Sequence, residues 1–296
     1  MVTSTPESAL RALSHAAEAV GLDAKRASLI RDGNNVMYAL PGGIVARIGS
    51  PGGSRSAERE VAVSRWLNAE GVSATRTIET LPQGLCVDDR PVTWWKLLPS
   101  HRPATPAELG GLLRRLHQLA PPQHLKLPSH DPFADIGCRV RDAIWLDSDD
   151  RIWLTDHEES LRQSYAALPS PTGHDVIHGD AWQGNVAVLD DGHAVLLDLE
   201  AVSLGRHAWD LVQIAVDYTD FDRLTKDAYD GFVNAYGGFD LTHTSEFRLL
   251  ADIQELRWLA FSLSKASSDA RVAQECQHRL ACLRGQLPRP WTWTAI

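Results

Sequence analysis

Leu10, Leu13, Ala17 and Val20 recur at helical spacing in a segment that opens at Pro6, with Ser4 or Thr5 placed to cap it. The apolar runs then shorten. Residues 27–31, 36–40 and 44–48 read as strands, separated by the turn-forming clusters Asp32-Gly33-Asn34-Asn35 and Pro41-Gly42-Gly43. That spacing predicts an antiparallel meander. A helix is expected over 56–70, stopped by Gly71, and further strands at 75–79, 85–87 and 92–97. After Pro99 the texture changes. Leu109, Leu112, Leu113, Leu116 and Leu119 form one stripe of an amphipathic helix over 106–119. A Pro- and His-rich loop follows at 121–135, then helices at 151–168, 207–218, 223–236, 246–264 and 270–285. Among them lies a short β patch at 176–177, 186–189 and 194–197, with Asp190-Asp191-Gly192 as a hairpin turn.

Strands dominate the first third and helices the rest, which predicts an α+β fold in two lobes. The expected boundaries are a small nucleotide-binding lobe over 1–95, a hinge at 96–100 and a larger catalytic and substrate-binding lobe over 101–296. No internal repeat or low-complexity tract interrupts this order.

Composition narrows the classes. The 296 residues are 44% hydrophobic and 23% charged, enough to build a core without staples. A net charge of -9 argues against a nucleic-acid partner, which calls for a basic face. Cys86, Cys138, Cys276 and Cys282 form no CxxC pair, so zinc and redox motifs are not expected. The first residues lack a basic stretch followed by an apolar one, and no apolar run could span a bilayer. A cytoplasmic protein without a membrane partner is the expectation. Nothing in the sequence sets an oligomeric state.

The stretch richest in chemistry is His178-Gly179-Asp180-Ala181-Trp182-Gln183-Gly184-Asn185, followed by Val195-Leu196-Leu197-Asp198. Asp180, Asn185 and Asp198 are hard oxygen donors on a loop and hairpin that draw them together, a set suited to magnesium and phosphate chemistry. A metallohydrolase built on His174, His178, Asp180 and Asp198 leaves Asn185 without a role and lacks zinc-type spacing.

This stretch resembles the catalytic loop and metal-binding segment of the aminoglycoside phosphotransferase and choline kinase-like family, whose fold is protein-kinase-like. The likeness extends over nearly the whole chain. It takes in Leu112-Leu113-Arg114-Arg115-Leu116-His117-Gln118-Leu119, Glu200, Gly205 and Trp209-Asp210-Leu211. The resemblance implies an ATP- or GTP-dependent, Mg²⁺-dependent kinase acting on a small-molecule hydroxyl. It makes Asp180 the catalytic base, Asn185 and Asp198 the metal ligands, and His178 and Asp210 supports of the catalytic loop. Asn34 and Asn35 fall in a turn similar to the family's phosphate-covering loop, though without GxGxxG or a Walker lysine. Arg47 stands where the family carries lysine; it remains a permanent cation, with a forked rather than point-like donor set. Glu60 is its expected partner, with Glu58 as rival. Trp95, Lys96 and Leu98 resemble the hinge that meets the nucleobase. Trp94 and Trp95 point to opposite faces of a strand, and the sequence leaves open which faces the cleft.

Past Asp210 the acids Asp217, Asp220, Asp222, Asp227, Asp230, Asp240, Glu246, Asp252 and Glu255 outnumber the nearby bases Arg206, Arg223, Lys226 and Arg248. Read as a pocket, they favour an amine-bearing acceptor such as an aminoglycoside-type antibiotic or an amino alcohol, with Asp217, Glu255 and Trp258 as its ligands. The former acceptor carries a role in antibiotic resistance. Read as a solvated acidic face, they leave a neutral sugar or nucleoside-like acceptor, or a pseudokinase without turnover. A protein kinase is disfavoured: eleven residues between Asp198 and Asp210 are too few for a peptide-docking segment.

Overall fold

Strand alternation sets the first layer. In the computed structural model, which describes residues 6–33, 35–169, 175–266 and 269–296, the elements follow in the order α1 (Pro6–Ala19), β1 (Ser28–Arg31), β2 (Val36–Leu40), β3 (Ile44–Ile48), α2 (Ser54–Ala69), β4 (Leu85–Val87), β5 (Arg90–Lys96), β6 (His101–Pro103), α3 (Pro106–Leu116), α4 (Ile136–Asp142) and α5 (Ser148–Ala166). Then come β7 (Asp175–Ile177), β8 (Val186–Leu189), β9 (Ala194–Leu196), β10 (Ser203–Gly205), α6 (His207–Thr219), α7 (Lys226–Tyr236), α8 (Phe247–Ala266) and α9 (Ala270–Leu283). The expected cap at Ser4 or Thr5 lies outside the described residues. The chain divides into two compact units. One comprises Met1–Ala104, Pro122–Lys126 and Gln183–Val202; the other comprises Thr105–Pro121, Leu127–Trp182 and Ser203–Ile296.

The first unit centres on an antiparallel sheet in the order β1-β2-β3-β5-β4. Its register places Tyr38 opposite Ala46 and Ala46 opposite Trp94. Period-2 alternation therefore gives one face Val36, Tyr38, Ala46, Ile48, Val92 and Trp94. Small residues of α1, Ala9, Ala12, Ala16 and Ala17, let that helix settle closely on this face. The opposite face carries Met37, Val45, Arg47, Thr93 and Trp95, and Val61 of α2 packs there. A second sheet, β6-β8-β9, turns at Gly192 (φ 81°), where a left-handed backbone favours glycine.

Two expectations need correction. Residues 75–79 form no continuous strand, because the segment changes partner partway. The Thr75 amide bonds to Leu196 on β9, whereas Thr77 bridges to Trp95 on β5. The single β patch of the second half is in fact two sheets: β8 pairs with β6 on one side and β9 on the other, and β7 pairs with β10. The strands β6 and β10 are three residues long, too short for any periodicity to reveal them.

The second unit is mainly helical. α3 opens with a capping box in which Thr105 and Glu108 bond reciprocally. It lies against α7 at Gly110, where a Cβ would stand 2.6 Å from the Phe232 carbonyl oxygen. Such an approach excludes any larger residue. α8 buries Leu250, Ile253, Leu256, Leu259 and Leu263 completely or nearly so and packs against α4, α5, α6 and α9. The last residues return as a strap: the Trp291 amide donates to the Asp220 carbonyl at 2.7 Å, and the Trp291 and Trp293 rings stack at 5.7 Å.

Candidate active site

In the first unit β3 projects Arg47 from the Met37–Trp95 face, and α2 brings Glu60 to it. Arg47 Nη1 donates to Glu60 Oε1. Glu60 makes this pair, and Glu58 is exposed. Burial pushes the Glu60 carboxyl up to about 7; the Arg47 charge opposes that rise, while Asp198 and Glu200 add to it. Arg47 Nη2 also donates to Glu200 Oε2 at 3.0 Å and lies 3.7 Å from Asp198 Oδ1. Glu200 gathers further donors, Asn35 Nδ2 at 3.1 Å and Ser56 Oγ at 3.4 Å. Asn34 lies outside the described residues.

Asn185 closes a single 3₁₀ turn ahead of β8, and its carbonyl accepts from the Leu197 amide at 2.9 Å. The β8–β9 hairpin thereby sets Asn185 beside the backbone that enters Asp198. Asp198 adopts a left-handed conformation (φ 51°, ψ 61°) and starts the turn that returns Glu200 toward Arg47. Three carboxylates thus surround one guanidinium. Among the described residues no group of three or more acidic, histidine or cysteine side chains is arranged to hold a metal ion by itself. The oxygens here are turned to Arg47, and Asp198 and Asn185 are the hard oxygen donors that the hairpin offers. Glu200 is legible in the sequence as part of the segment after Asp198, but its contact with Arg47 is not. The available signal was an acid two residues beyond a metal-type aspartate in a tight turn.

The hinge residues take a plain structural place. Trp95 is buried on the Arg47 face and donates its indole N–H to Thr93 Oγ1 at 2.8 Å, whereas Trp94 points to α1. The Lys96 amide donates to the Arg76 carbonyl at 2.8 Å, so that N–H is already engaged within the sheet. Leu98 is half-buried.

In the second unit β7 leads into His178-Gly179-Asp180. Asp210, buried on the first turn of α6, accepts from the His178 amide at 2.6 Å and the Gly179 amide at 2.8 Å. It also accepts from His117 Nε2 at 3.0 Å, and His117 Nδ1 meets the Tyr236 hydroxyl at 2.8 Å. An acceptor-only carboxylate requires that His117 Nε2 carry a hydrogen. Burial alone would raise the Asp210 carboxyl, but the bonds and charge of His117 and His178 hold it below the ordinary range. His207 stacks on His117 at 4.1 Å; burial, then the His117 charge, brings it down to about 4, so it is a neutral ring at neutral pH. The Trp209 indole donates to the Gly179 carbonyl at 3.2 Å, and Gly179 takes φ 83°. The loop is therefore held from both sides while Asp180 is exposed. Arg257, bonded to the Pro132 carbonyl at 3.0 Å, counts Asp180, Asp131 and Asp135 among its charge neighbours. Trp182, two residues past Asp180, is 42% exposed, and the other nine tryptophans are buried or half-buried.

The three acceptor candidates are occupied by other groups. Asp217 accepts from Arg223 at 2.8 Å. Glu255 is 0% exposed and sits between Arg248 at 2.9 Å and Arg289 at 3.1 Å. Trp258 is half-buried in an aromatic cluster with Phe221 and Trp293. Arg223 answers Asp217, whereas Glu255 shares Arg248 and Arg289 with Asp220. Arg289 lies 34 residues beyond Glu255 and could not be paired with it from the sequence.

Glu255 carries a pH prediction. Burial first, then its hydrogen bond with Asp220, pushes the carboxyl up to about 9, from an ordinary value of 4.5. Between these values the folded state holds a proton that the unfolded state has released. The stability contributed by this group therefore falls as pH rises through that window. Glu255→Gln should flatten the decline; denaturant unfolding midpoints at the two ends of the window measure it, and an unchanged slope would assign the decline elsewhere.

The family model described as "Phosphotransferase enzyme family" matches residues 31–250. No curated protein matches the chain. Among solved structures, amicoumacin kinase in complex with AMP-PNP and Ca²⁺ is similar at TM-score 0.73 and 13% identity, over 93% of each chain. Spectinomycin phosphotransferase in complex with ADP and spectinomycin gives 0.63 at 13% identity over 94% of each. A choline/ethanolamine kinase family protein from Mesorhizobium loti gives 0.62 at 16% identity, over 89% of this chain and 88% of that one. At these identities the likeness concerns the fold, which is kinase-like and two-lobed.

Proposed function

The chain belongs to the phosphotransferase enzyme family, and on that premise we propose that it moves the terminal phosphoryl group of ATP or GTP to a hydroxyl of a small, amine-bearing molecule. The observation that carries this reading is the meeting of Arg47, Glu60, Asp198 and Glu200 in the first unit. A buried glutamate holds a permanent cation at a fixed point on the sheet, where it can hold nucleotide phosphates. Asn185 and Asp198 would hold Mg²⁺, whose chemistry is to neutralise charge on those phosphates. Asp180 accepts the proton of the acceptor hydroxyl, on a loop kept in shape by Asp210.

The acceptor class rests on two supports. Structural neighbours carry the names of amicoumacin, spectinomycin, kanamycin and choline. In this chain, Asp131 and Asp135 are exposed carboxylates that share Arg257 as a charge neighbour with Asp180. Each also lies near an arginine, Asp131 3.9 Å from Arg162 and Asp135 3.6 Å from Arg139, but both are far more exposed than Asp217 and Glu255, which makes them the better placed of the four to meet an amine.

The test is release of nucleoside diphosphate from ATP and from GTP, with and without Mg²⁺, over spectinomycin, kanamycin, choline and a neutral sugar. Phosphorus NMR confirms transfer. Asp198→Ala should remove Mg²⁺-dependent nucleotide binding and leave the melting temperature close to that of the parent. Nucleotide binding that ignores Mg²⁺ would sink the metal assignment. Binding without turnover on any hydroxyl would favour a pseudokinase.

A further inference from the structure

A hollow of about 280 Å³ opens in the first unit, between the second half of α2 and the segment that crosses to β5. It is lined by Ser64, Arg65, Asn68, Arg76, Thr77, Glu79 and Lys96, with Ala69 at its edge. Its charges are unbalanced in an unusual direction. The chain as a whole carries a net charge of -9, yet three cations meet one carboxylate here.

That carboxylate is already engaged. Glu79 Oε1 accepts from Thr77 Oγ1 at 2.6 Å and from Arg65 Nε at 3.3 Å, and Oε2 lies 2.9 Å from Arg65 Nη2. The neutral lining groups are engaged too: Ser64 Oγ donates to the Thr75 carbonyl, and Asn68 Nδ2 donates to the Ser64 and Ala74 carbonyls. Arg76 and Lys96 are exposed, and Lys96 acts on Glu79 only as a charge neighbour, behind Arg65. The antiparallel bridge from Thr77 to Trp95, with the Lys96 amide on the Arg76 carbonyl at 2.8 Å, sets these two residues directly opposite each other. Like charges directly opposite across a strand pair are destabilising. In a chain rich in carboxylates, such a pair beside a hollow is a place that an anion would relieve.

We propose that this hollow is a binding site for a small divalent oxyanion, with Arg76 and Lys96 as its cationic jaws and Arg65 as a third donor. Inorganic phosphate is the simplest ligand of that class. Two opposed cations give charge-assisted bonds to separate oxygens of one tetrahedral anion, which a monovalent halide cannot reproduce. The hollow shares α2 with Glu60, so occupancy bears on the same helix that holds Arg47.

Thermal unfolding of the full chain without nucleotide tests the proposal. Sodium phosphate and, separately, sodium sulfate are titrated at constant ionic strength, with sodium chloride alone as the control. The midpoint should rise saturably with either oxyanion, as mass action requires for a ligand of the folded state. Arg76→Glu should melt at or above the parent temperature without phosphate, because it turns a like-charge pair into an opposite one. Its phosphate response should weaken by about tenfold or more in dissociation constant, the loss expected for a hydrogen bond to a charged group. Arg76→Ala should lose the response as well. A full response in Arg76→Ala overturns the proposal, since the introduced carboxylate would then explain the glutamate variant. The same rise with chloride, or none that saturates, overturns it too.

Discussion

Asp180→Asn should bind nucleotide as the parent does and turn it over about 10²–10⁴-fold more slowly, the usual loss when a positioned base is removed. The exchange keeps shape and hydrogen-bonding reach but leaves an amide that takes no proton at neutral pH. The loop should survive it, because its geometry does not depend on the carboxylate. Asp210 holds the amides of residues 178 and 179, and Trp209 holds the Gly179 carbonyl. Single-turnover rates with the best acceptor, beside nucleotide affinity measured directly, separate chemistry from binding. A variant with near-parental turnover would remove Asp180 from the reaction. Weakened nucleotide affinity would mean that its charge acts on the nucleotide and not on the hydroxyl.

Asp210→Ala should be the most destabilising single change. It strips the acceptor from two buried backbone donors and from His117 Nε2 at once. Each buried donor left without a partner costs about 1–3 kcal/mol, so a loss of about 3–5 kcal/mol is expected after relaxation. Activity should fall with it, since Asp180 follows directly on the two released amides. The pH dependence is a second readout. The folded carboxyl is held below its ordinary value of 3.8. Its contribution is therefore complete above that value and lost as pH falls through the folded value, which lies lower. The parent should lose that part of its stability in strong acid, and the variant should have none of it to lose. Denaturant unfolding at neutral and acid pH measures both, and a loss under 1 kcal/mol would show that water replaces the carboxylate.

What the sequence determined by itself is what local spacing controls. Alternation along residues 36–40 and 44–48, with glycine between, is enough to make a hairpin, and β2 and β3 occupy those spans. The leucine stripe of α3 and the hairpin turn at Gly192 are local in the same sense. So is the run from His178 to Asp198: its eight-residue loop and hairpin are contiguous, so their oxygen donors could be read together and the family recognised.

The tertiary structure decided whatever depends on partners brought from far along the chain. Alternation separates Trp94 from Trp95, but only the helix on each face says which one shares a side with Arg47. Glu60 and Glu58 are equal as sequence; the turn of α2 that meets β3 selects Glu60. Asp210 was legible as a loop support, yet its partner His117 comes from 93 residues away. Glu255 looked like a free acid until Arg289 returned on the C-terminal strap, and Asp217 until the chain doubled back to Arg223. Charge composition counts carboxylates without saying which are neutralised. Arg289 comes by closure of a longer loop, and Arg223 and Arg248, though six and seven residues from their acids, are matched to them only by how the chain turns and packs.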